Sequence, residues 1–371
     1  MKKLVFFPSD PIIAYINKGK SYEYLDGYYN PGGYFDEVYC LSPWGEKERE
    51  KIGNITYIRD NPCRYKKIIK QINPDVVRGY GGYCCADWIS ISKVKGIPYV
   101  ASVHDTNPDL IHESLRYADY IICMAECVKQ AVLNKITFDR DKICVMPNRV
   151  DIELFSKKKD DEYFNKLTRR FGTGKHILHV GRKCEQKNLD TLIKSLEYLT
   201  EDVTCIFVGS GEWKEYYNLA KKCDVEQRCF SVERVNEDEL PFWYSWCDCF
   251  CTPSRWEGFG IVFIEAASCE TAIVTSNIAP MNEYLTAGIN AVLVDEYENP
   301  QILANAINSV LSGGGQVNEM KKMARKVGMK FTKEKIDEQE VEIYKKVIGL
   351  GANNAINREA VFRIKTWLDY R

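Results

Sequence analysis

Two glutamates and two glycines form the motif with the clearest chemistry in this sequence. Residues 253–266 are PSRWEGFGIVFIEA, in which Glu265 follows Glu257 by eight positions. An apolar run precedes the motif and a helix-forming run follows it, so we expect it at the carboxyl edge of a parallel sheet, where open α/β proteins bind ligands. Because carboxylates accept hydrogen bonds from hydroxyl groups, one of these glutamates can bind a sugar and the other a ribose.

The glycine turn inside this motif suits a phosphate group. Gly258 and Gly260 flank Phe259 and permit a tight turn with close approach of the backbone to a ligand. The free amides at the start of the next helix, around Gly260, Ile261 and Val262, predict an anion site. The alternative is that a connection from strand to helix needs glycines for its shape alone and that glutamate is simply common in helices.

A second motif brings two cations to the same edge. Residues 176–189 are HILHVGRKCEQKNL, so a strand runs into a turn at Gly181, with Arg182 directly after it and Lys187 just before the next helix. Positioned cations stabilise the negative charge that develops on a leaving group without any proton transfer. The alternative is two solvated surface charges. We expect Lys187 to lie on an exposed loop with little packing around it.

Two further turns complete the candidate set. Gly209 and Gly211 follow another apolar run, and His104 ends a strand in the first half of the chain. A glycine pair of this kind shapes a turn as readily as it touches a nucleotide. A histidine at the end of a strand can simply bond to its own loop.

Short apolar runs alternate with segments of helical periodicity along most of the chain, which is the pattern of parallel βαβ units. The alternation pauses near the charged residues 156–161 and then restarts, so two Rossmann-like units joined near residues 150–172 are expected. The predicted strands are residues 4–7, 37–41, 76–77, 99–103, 120–124, 142–146, 176–180, 204–208, 248–252, 272–275 and 291–294.

Together these motifs resemble the signature of the retaining glycosyltransferases of family 4, also called glycosyl transferases group 1. The resemblance covers residues 75–345 well and residues 1–74 loosely. It implies the α/β fold named GT-B, in which two Rossmann-like domains face each other across a cleft and a C-terminal helix returns to the N-terminal domain. The expected domains are an acceptor domain at residues 1–155, a nucleotide-sugar donor domain at 156–348 and the returning helix at 349–371.

The resemblance also implies a reaction. A hexose would pass from a nucleotide diphosphate sugar, with UDP preferred to GDP, to a hydroxyl group of a glycan or lipid-linked acceptor, with retention at the anomeric carbon. Arg182 and Lys187 would hold the diphosphate, Glu265 the ribose, and Glu257 and His104 the sugar. Such an enzyme would serve the synthesis of cell-surface polysaccharides or glycoconjugates.

The amino-acid composition limits the kinds of molecule that this protein is expected to bind. Fifty-one Lys and Arg against 52 Asp and Glu give a net charge of -1, which argues against a dedicated nucleic-acid binder. The 15 cysteines are irregularly spaced, as expected of free thiols in a reducing cytoplasm. No apolar stretch suggests a membrane span or a signal peptide, and peripheral membrane contact through the N-terminal domain is left open. No metal or other cofactor is expected.

Two alternatives stay open. A catalytically idle subunit that binds a nucleotide sugar would keep the glycines and Glu265, and a sugar phosphorylase or epimerase could share the fold. Arg182, Lys187 and Glu257 are all present, which favours the transferase over the idle subunit.

Overall fold

The computed structural model describes residues 1–17, 20–45 and 48–349. They fold into two compact units. Within the described residues, the first comprises Met1–Pro147 together with Glu334–Gly349, and the second comprises Asn148–Lys333. These boundaries differ from the expected 155/156 and 348/349, and a helix assigned to the donor domain belongs to the first unit instead. Apart from Gly349, the predicted C-terminal segment 349–371 lies outside the described residues.

The first unit contains an eight-stranded sheet in the order β3-β4-β2-β1-β5-β6-β7-β8. The strand pairs are parallel apart from β3 and β4, which are antiparallel. The strands are β1 Lys3–Phe7, β2 Glu37–Ser42, β3 Arg49–Ile52, β4 Ile55–Arg59, β5 Val76–Tyr80, β6 Tyr99–Val103, β7 Tyr120–Cys123 and β8 Ile143–Val145. The helices are α1 Ile12–Asn17, α2 Tyr22–Tyr29, α3 Tyr65–Ile72, α4 Cys84–Ser92 and α5 Glu126–Lys135.

Helix α14, at Lys333–Ile348, is attached to the first sheet by a buried charge. The guanidinium of Arg78, in the middle of β5, donates to a carboxylate oxygen of Glu340 and, at 2.9 Å, to the hydroxyl of Tyr344. Arg78 is 1% exposed and Glu340 is 0% exposed. Because an uncompensated charge inside a protein is strongly destabilising, this pair explains why the helix belongs to the first unit and not to the second.

The second unit contains a six-stranded parallel sheet in the order β11-β10-β9-β12-β13-β14. Its strands are β9 Lys175–Val180, β10 Val203–Val208, β11 Cys229–Val232, β12 Cys249–Thr252, β13 Ile273–Ser276 and β14 Val292–Val294. Its helices are α6 Asp161–Phe171, α7 Leu189–Ser195, α8 Lys214–Lys222, α9 Leu240–Trp246, α10 Ile261–Ser268, α11 Met281–Tyr284, α12 Pro300–Leu311 and α13 Gly315–Gly328.

The apolar runs explain these elements. Strands β1, β5, β6 and β9 are buried along most of their length, as expected when helices cover both faces of a parallel sheet. Helix α6 begins directly after Asp160, whose carboxylate accepts the amide of Tyr163 at 2.9 Å and caps the helix. The charged stretch at residues 156–161 therefore ends as the first turn of a helix.

All strands of the second sheet run in the same direction, so their carboxyl ends meet at one edge. In this sheet β9 lies between β10 and β12. The three strands β9, β10 and β12 end at Val180, Val208 and Thr252, respectively. The three candidate motifs of the second half follow these residues directly. Within the described residues, no helix is long and apolar enough to cross a bilayer.

Candidate functional site

The structure brings the candidate residues of the second half together at the carboxyl edge of the second sheet. The connection after β9 begins at Gly181, whose φ is 157°. A Cβ atom at this position would lie 3.3 Å from both the Nε2 of His179 and the Cε of Lys187, which is a crowded contact. Glycine therefore lets the backbone pass close to the stem of Lys187.

Lys187 lies in the centre of this edge and is 8% exposed. Its ammonium donates to the Oε1 atom of Glu257, 70 residues further along the chain, and the two form a buried ion pair. The expectation of an exposed loop lysine with little packing is wrong. The loop folds inward because the glutamate supplies the countercharge that a buried ammonium needs.

Glu257 has further partners on both carboxylate oxygens. The hydroxyl of Ser254 donates to its Oε1 atom at 2.7 Å, and the amide of Gln186 lies 3.5 Å from its Oε2 atom. Gln186 also donates to the carbonyl of Trp256 at 2.9 Å. The side chain of Glu257 is thus fixed before any ligand binds, and two of these partners, Ser254 and Gln186, were not singled out from the sequence.

Arg182 is exposed at the mouth of the same connection. One of its guanidinium nitrogens donates to the Oε1 atom of Gln186 at 3.1 Å. Gln186 therefore joins the exposed cation to the buried pair. Together, Arg182 and Lys187 supply positive charge at the turn where the sequence predicts a diphosphate.

The glycine turn after β12 leads into α10. Gly260 has φ 75° and precedes the helix, and no side chain caps the helix start at Ile261 and Val262. The hydroxyl of Tyr284 donates to the carbonyl of Phe259 at 2.7 Å and fixes the turn. An uncapped helix start presents backbone amides and the positive end of the helix dipole, which is favourable for an anion.

Glu265 lies on α10 and is half-buried. Its Oε2 atom accepts the hydroxyl of Tyr244 at 3.0 Å. Burial raises the pKa of the Tyr244 hydroxyl well above 10.0, and the neighbouring carboxylate raises it further. Tyr244 therefore remains a neutral hydrogen-bond donor that orients Glu265.

The turns after β9 and β10 interlock. A Cβ atom at Gly209 would lie 2.0 Å from the carbonyl oxygen of Gly181, and one at Gly211 would lie 2.5 Å from the carbonyl oxygen of Lys183. Any other residue at Gly209 or Gly211 would push the two turns apart. The close packing of the two turns therefore explains why glycines stand at these positions. Contact of the glycines with a nucleotide remains a prediction.

His179, on β9, is fully buried behind the Gly181 turn. Its Nδ1 atom lies 2.9 Å from the hydroxyl of Thr252. Burial, followed by the nearby charges of Lys187 and Lys183, lowers the pKa of His179 to about 3. The only sequence signal for this residue was a histidine in an apolar strand.

His104 belongs to the first unit and follows β6. Its ring lies 6.5 Å, centroid to centroid, from the ring of Tyr80 in an edge-to-face arrangement. Burial, assisted by the positive charge of Arg78, lowers the pKa of His104 to about 4. His104 is consequently neutral at physiological pH and can both donate and accept hydrogen bonds.

Among the described residues, no group of three or more His, Cys, Asp or Glu side chains is arranged to hold a metal ion. The two strand histidines, His176 and His179, have separate surroundings. The His176 ring lies 4.0 Å from that of Trp246, whereas His179 contacts Thr252. The independence of the reaction from metals remains a prediction.

Two family models match the chain. The model of the glycosyl transferases group 1 matches residues 160–327, and that of glycosyltransferase family 4 matches residues 37–154. A glycosyltransferase of Methanocaldococcus jannaschii is 26% identical over 289 residues, which are 70% of this chain and 74% of that protein.

Two more similarities are informative. The UDP-Gal:α-D-GlcNAc-diphosphoundecaprenol α-1,3-galactosyltransferase of Escherichia coli is 26% identical over 209 residues, which are 54% of this chain and 51% of that enzyme. The crystal structure of Anabaena Alr3699/HepE with UDP-glucose superimposes with a TM-score of 0.75 at 18% identity, over 93% of this chain and 100% of that one. The chain therefore belongs to the family 4 glycosyltransferases of group 1, and its fold is GT-B.

Proposed function

We propose that this glycosyltransferase moves a hexose from a nucleotide diphosphate sugar to a hydroxyl acceptor with retention at the anomeric carbon. The observation that carries the proposal is the buried pair of Lys187 and Glu257 at the sheet edge, beside the uncapped start of α10. This arrangement combines a cation and free amides for a diphosphate with a carboxylate for sugar hydroxyls.

The cations act on the leaving group. As the bond between the anomeric carbon and the phosphate oxygen breaks, negative charge grows on the diphosphate, and Arg182 and Lys187 stabilise it. Lys187 has three N–H donors, so it can keep its bond to Glu257 and still bind a phosphate oxygen. Because these groups and the helix start supply the positive charge, we propose that transfer needs no divalent metal.

Retention follows if the acceptor approaches on the face from which the diphosphate leaves. The acceptor oxygen forms its bond to the anomeric carbon, and its proton passes to the departing phosphate oxygen. The electron pair of the broken bond stays with the diphosphate. This route needs no separate general base.

The remaining candidates recognise the donor. We assign Glu257 and His104 to hydroxyl groups of the sugar and Glu265 to the ribose. The amide atoms around Gly258, Gly260 and the start of α10 are assigned to the phosphates, with Phe259, Ile261 and Val262 forming that turn. Gly181, Gly209 and Gly211 keep the neighbouring backbone close enough for the nucleotide.

The relatives suggest the substrates. The Anabaena protein binds UDP-glucose, and the E. coli enzyme is named for UDP-galactose and a diphosphoundecaprenol-linked sugar. We therefore propose a UDP-hexose donor and a glycan or lipid-linked acceptor, in the synthesis of surface polysaccharide or glycoconjugate. We place the reaction in the cytoplasm, where the chain's thiols stay reduced, with membrane contact limited to the periphery.

A donor panel tests the proposal. The purified protein is incubated with UDP-, GDP- and ADP-hexoses, and release of the nucleoside diphosphate is measured with and without sugar acceptors. We expect release from one UDP-hexose, faster with a hydroxyl acceptor. Binding without any release from the panel would favour the idle binding subunit, and release driven by inorganic phosphate would favour a phosphorylase.

A further inference from the structure

Lys183 is a buried cation that the proposed mechanism does not use. It follows Arg182 directly, yet it is 6% exposed and its side chain turns into the protein. The ammonium donates to the carbonyl of Gly209 and, at 3.3 Å, to the carbonyl of Val232. Burial lowers the pKa of Lys183, and the negative charge of Glu233 opposes this effect.

These two carbonyls lie at the ends of neighbouring strands. Val232 is the last residue of β11, and Gly209 follows the last residue of β10. The Val232 carbonyl also accepts the amide of Gly209 at 2.9 Å. The Val232 carbonyl thus has a backbone donor, whereas a Gly209 carbonyl without a donor would be free to point its negative end toward a bound anion. Lys183 instead bonds to the Gly209 carbonyl from inside the protein.

Because the peptide bond is planar, the contact of Lys183 with the Gly209 carbonyl also sets the direction of the next amide, that of Ser210. The bond between Gly209 and Ser210 is trans, so its carbonyl and its N–H point in opposite directions. With the Gly209 carbonyl held inward by Lys183, the amide of Ser210 faces outward. Ser210 is exposed, and its amide has no hydrogen-bond acceptor in the described part of the chain.

The main chain of Lys183 holds the same turn. Its amide donates to the carbonyl of Ser210 at 2.7 Å. A Cβ atom at Gly211 would approach the Lys183 carbonyl to 2.5 Å, so the two segments are in direct contact. Lys183 therefore fixes the peptide groups on both sides of Ser210.

We propose that Lys183 is a positioning residue for the donor: it holds the Gly209 carbonyl inward and thereby presents the amide of Ser210 to the nucleoside diphosphate. The inference rests on the proposed function, because it assumes that this edge binds a nucleotide. The ligand group that fits the amide is an oxygen acceptor of the nucleotide, either a phosphate oxygen or a ribose hydroxyl.

If Lys183 only positions the Ser210 amide, its replacement should weaken nucleotide binding and leave the rate of the chemical step nearly unchanged. The ammonium bonds to backbone carbonyls and not to Glu257, so the groups assigned to the leaving diphosphate keep their places when it is removed. In Lys183→Met we expect the Kd of UDP and the KM of the UDP-hexose each to rise about tenfold, the weight of one hydrogen bond, with kcat within about twofold of wild type.

The experiment measures UDP binding by calorimetry, donor turnover and thermal unfolding for the full-length protein and its variants. Lys222→Met is the matched control, since it removes one exposed lysine from the same unit. Lys183→Arg should rescue binding to within about threefold, because a guanidinium can reach both carbonyls. If Lys183→Met does not fold, Lys183→Gln, whose shorter side chain carries an uncharged amide with two N–H donors, should change the Kd and the KM in the same direction.

The outcomes separate the two hypotheses. Failure of the wild-type protein to bind any nucleoside diphosphate would overturn the proposed function and this inference with it. Wild-type binding with an unchanged Kd in Lys183→Met, even with a lower Tm, would overturn the inference alone. The inference would also be overturned if kcat of Lys183→Met fell by the same factor as its KM rose. A general distortion of the site would then explain the effect.

Discussion

Lys187 and Glu257 form an ion pair at the carboxyl edge of the second sheet, with side chains that are 11% and 6% exposed. The pair joins the connection after β9 to the glycine turn after β12. Ser254 and Gln186 complete the surroundings of the carboxylate. A group assigned to the leaving diphosphate and a group assigned to the sugar are thus held in contact by the fold itself.

Replacement of Lys187 separates the catalytic role of this pair from its structural one. In Lys187→Met we expect turnover to fall by ~10²–10³-fold, because a preorganised cation at the leaving group is lost. We also expect the free energy of unfolding to fall by about 3–5 kcal/mol, because Glu257 is left buried without its countercharge. Turnover and urea denaturation are measured on the same preparations.

The control is Lys187→Met combined with Glu257→Gln, which removes both charges. The double variant should recover much of the lost stability and none of the activity. Recovery of activity along with stability would contradict both the role of Lys187 at the leaving group and the role of Glu257 at the sugar.

Removal of the Ser254 hydroxyl tests whether the orientation of Glu257 matters. In Ser254→Ala the 2.7 Å bond to Glu257 is lost while the ion pair remains. We expect the transfer rate to fall by about tenfold and the affinity for UDP to stay unchanged, because one hydrogen bond to a charged group is removed from the sugar side. Ser309→Ala, which removes an exposed helix hydroxyl, is the matched control. An equal loss in both variants would contradict the role of Ser254.

The two glutamates of the motif should have different effects on binding and turnover. Glu265→Ala should weaken UDP binding by roughly 10–100-fold, the worth of a hydrogen bond between a hydroxyl and a charged group, because the ribose is present in UDP. Glu257→Ala should leave UDP affinity nearly unchanged and reduce transfer severely, because the hexose is absent from UDP. Calorimetry with UDP and turnover with the sugar donor measure the two effects.

Tyr244→Phe extends this test, because it removes the donor that orients Glu265 and leaves the carboxylate in place. It should weaken UDP binding less than Glu265→Ala does. If Glu257→Ala lost UDP affinity as strongly as Glu265→Ala, the motif would be a single nucleotide site with no separate contact for the sugar.

The buried histidine predicts a dependence of stability on pH. Folding lowers the pKa of His179 from 6.5 to about 3, so the unfolded chain binds a proton that the folded chain refuses between these values. The free energy of unfolding therefore falls as pH decreases below about 6.5, by up to about 1.4 kcal/mol per pH unit for one such group.

In His179→Gln this contribution disappears, and the stability curve should be flatter between pH 6.5 and 4.5. Urea denaturation at pH 6.5, 5.5 and 4.5 compares the two proteins. Identical slopes would show that His179 is protonated in the folded protein or is exposed to water.

Much of the fold follows from the sequence. The alternation of apolar runs and helices predicts both sheets, and β6 was placed at its observed residues. The hairpin of β3 and β4 and strand β11 were missed, since β3 and β11 are short and rich in polar or exposed residues. That α14 belongs to the first unit could not be predicted from the sequence, because it depends on the contact of Arg78 with Glu340, which are 262 residues apart.

The position of the candidate site was predictable where it depends on the backbone. Glycines and a new helix after a strand indicate an anion site at the carboxyl edge of a sheet, and the binding of an anion there stays a prediction. The burial of Lys187 was not predictable, because its partner Glu257 lies on another connection.

The most direct test of the central claim is proton NMR of the product formed from an α-linked UDP-hexose in the presence of EDTA. The proposal predicts that transfer continues under chelation and that the first detectable product has the α configuration. A β-configured product, or complete loss of transfer that Mg²⁺ or Mn²⁺ restores, would contradict the proposal that Arg182, Lys187 and the helix start stabilise the leaving diphosphate in a retaining reaction.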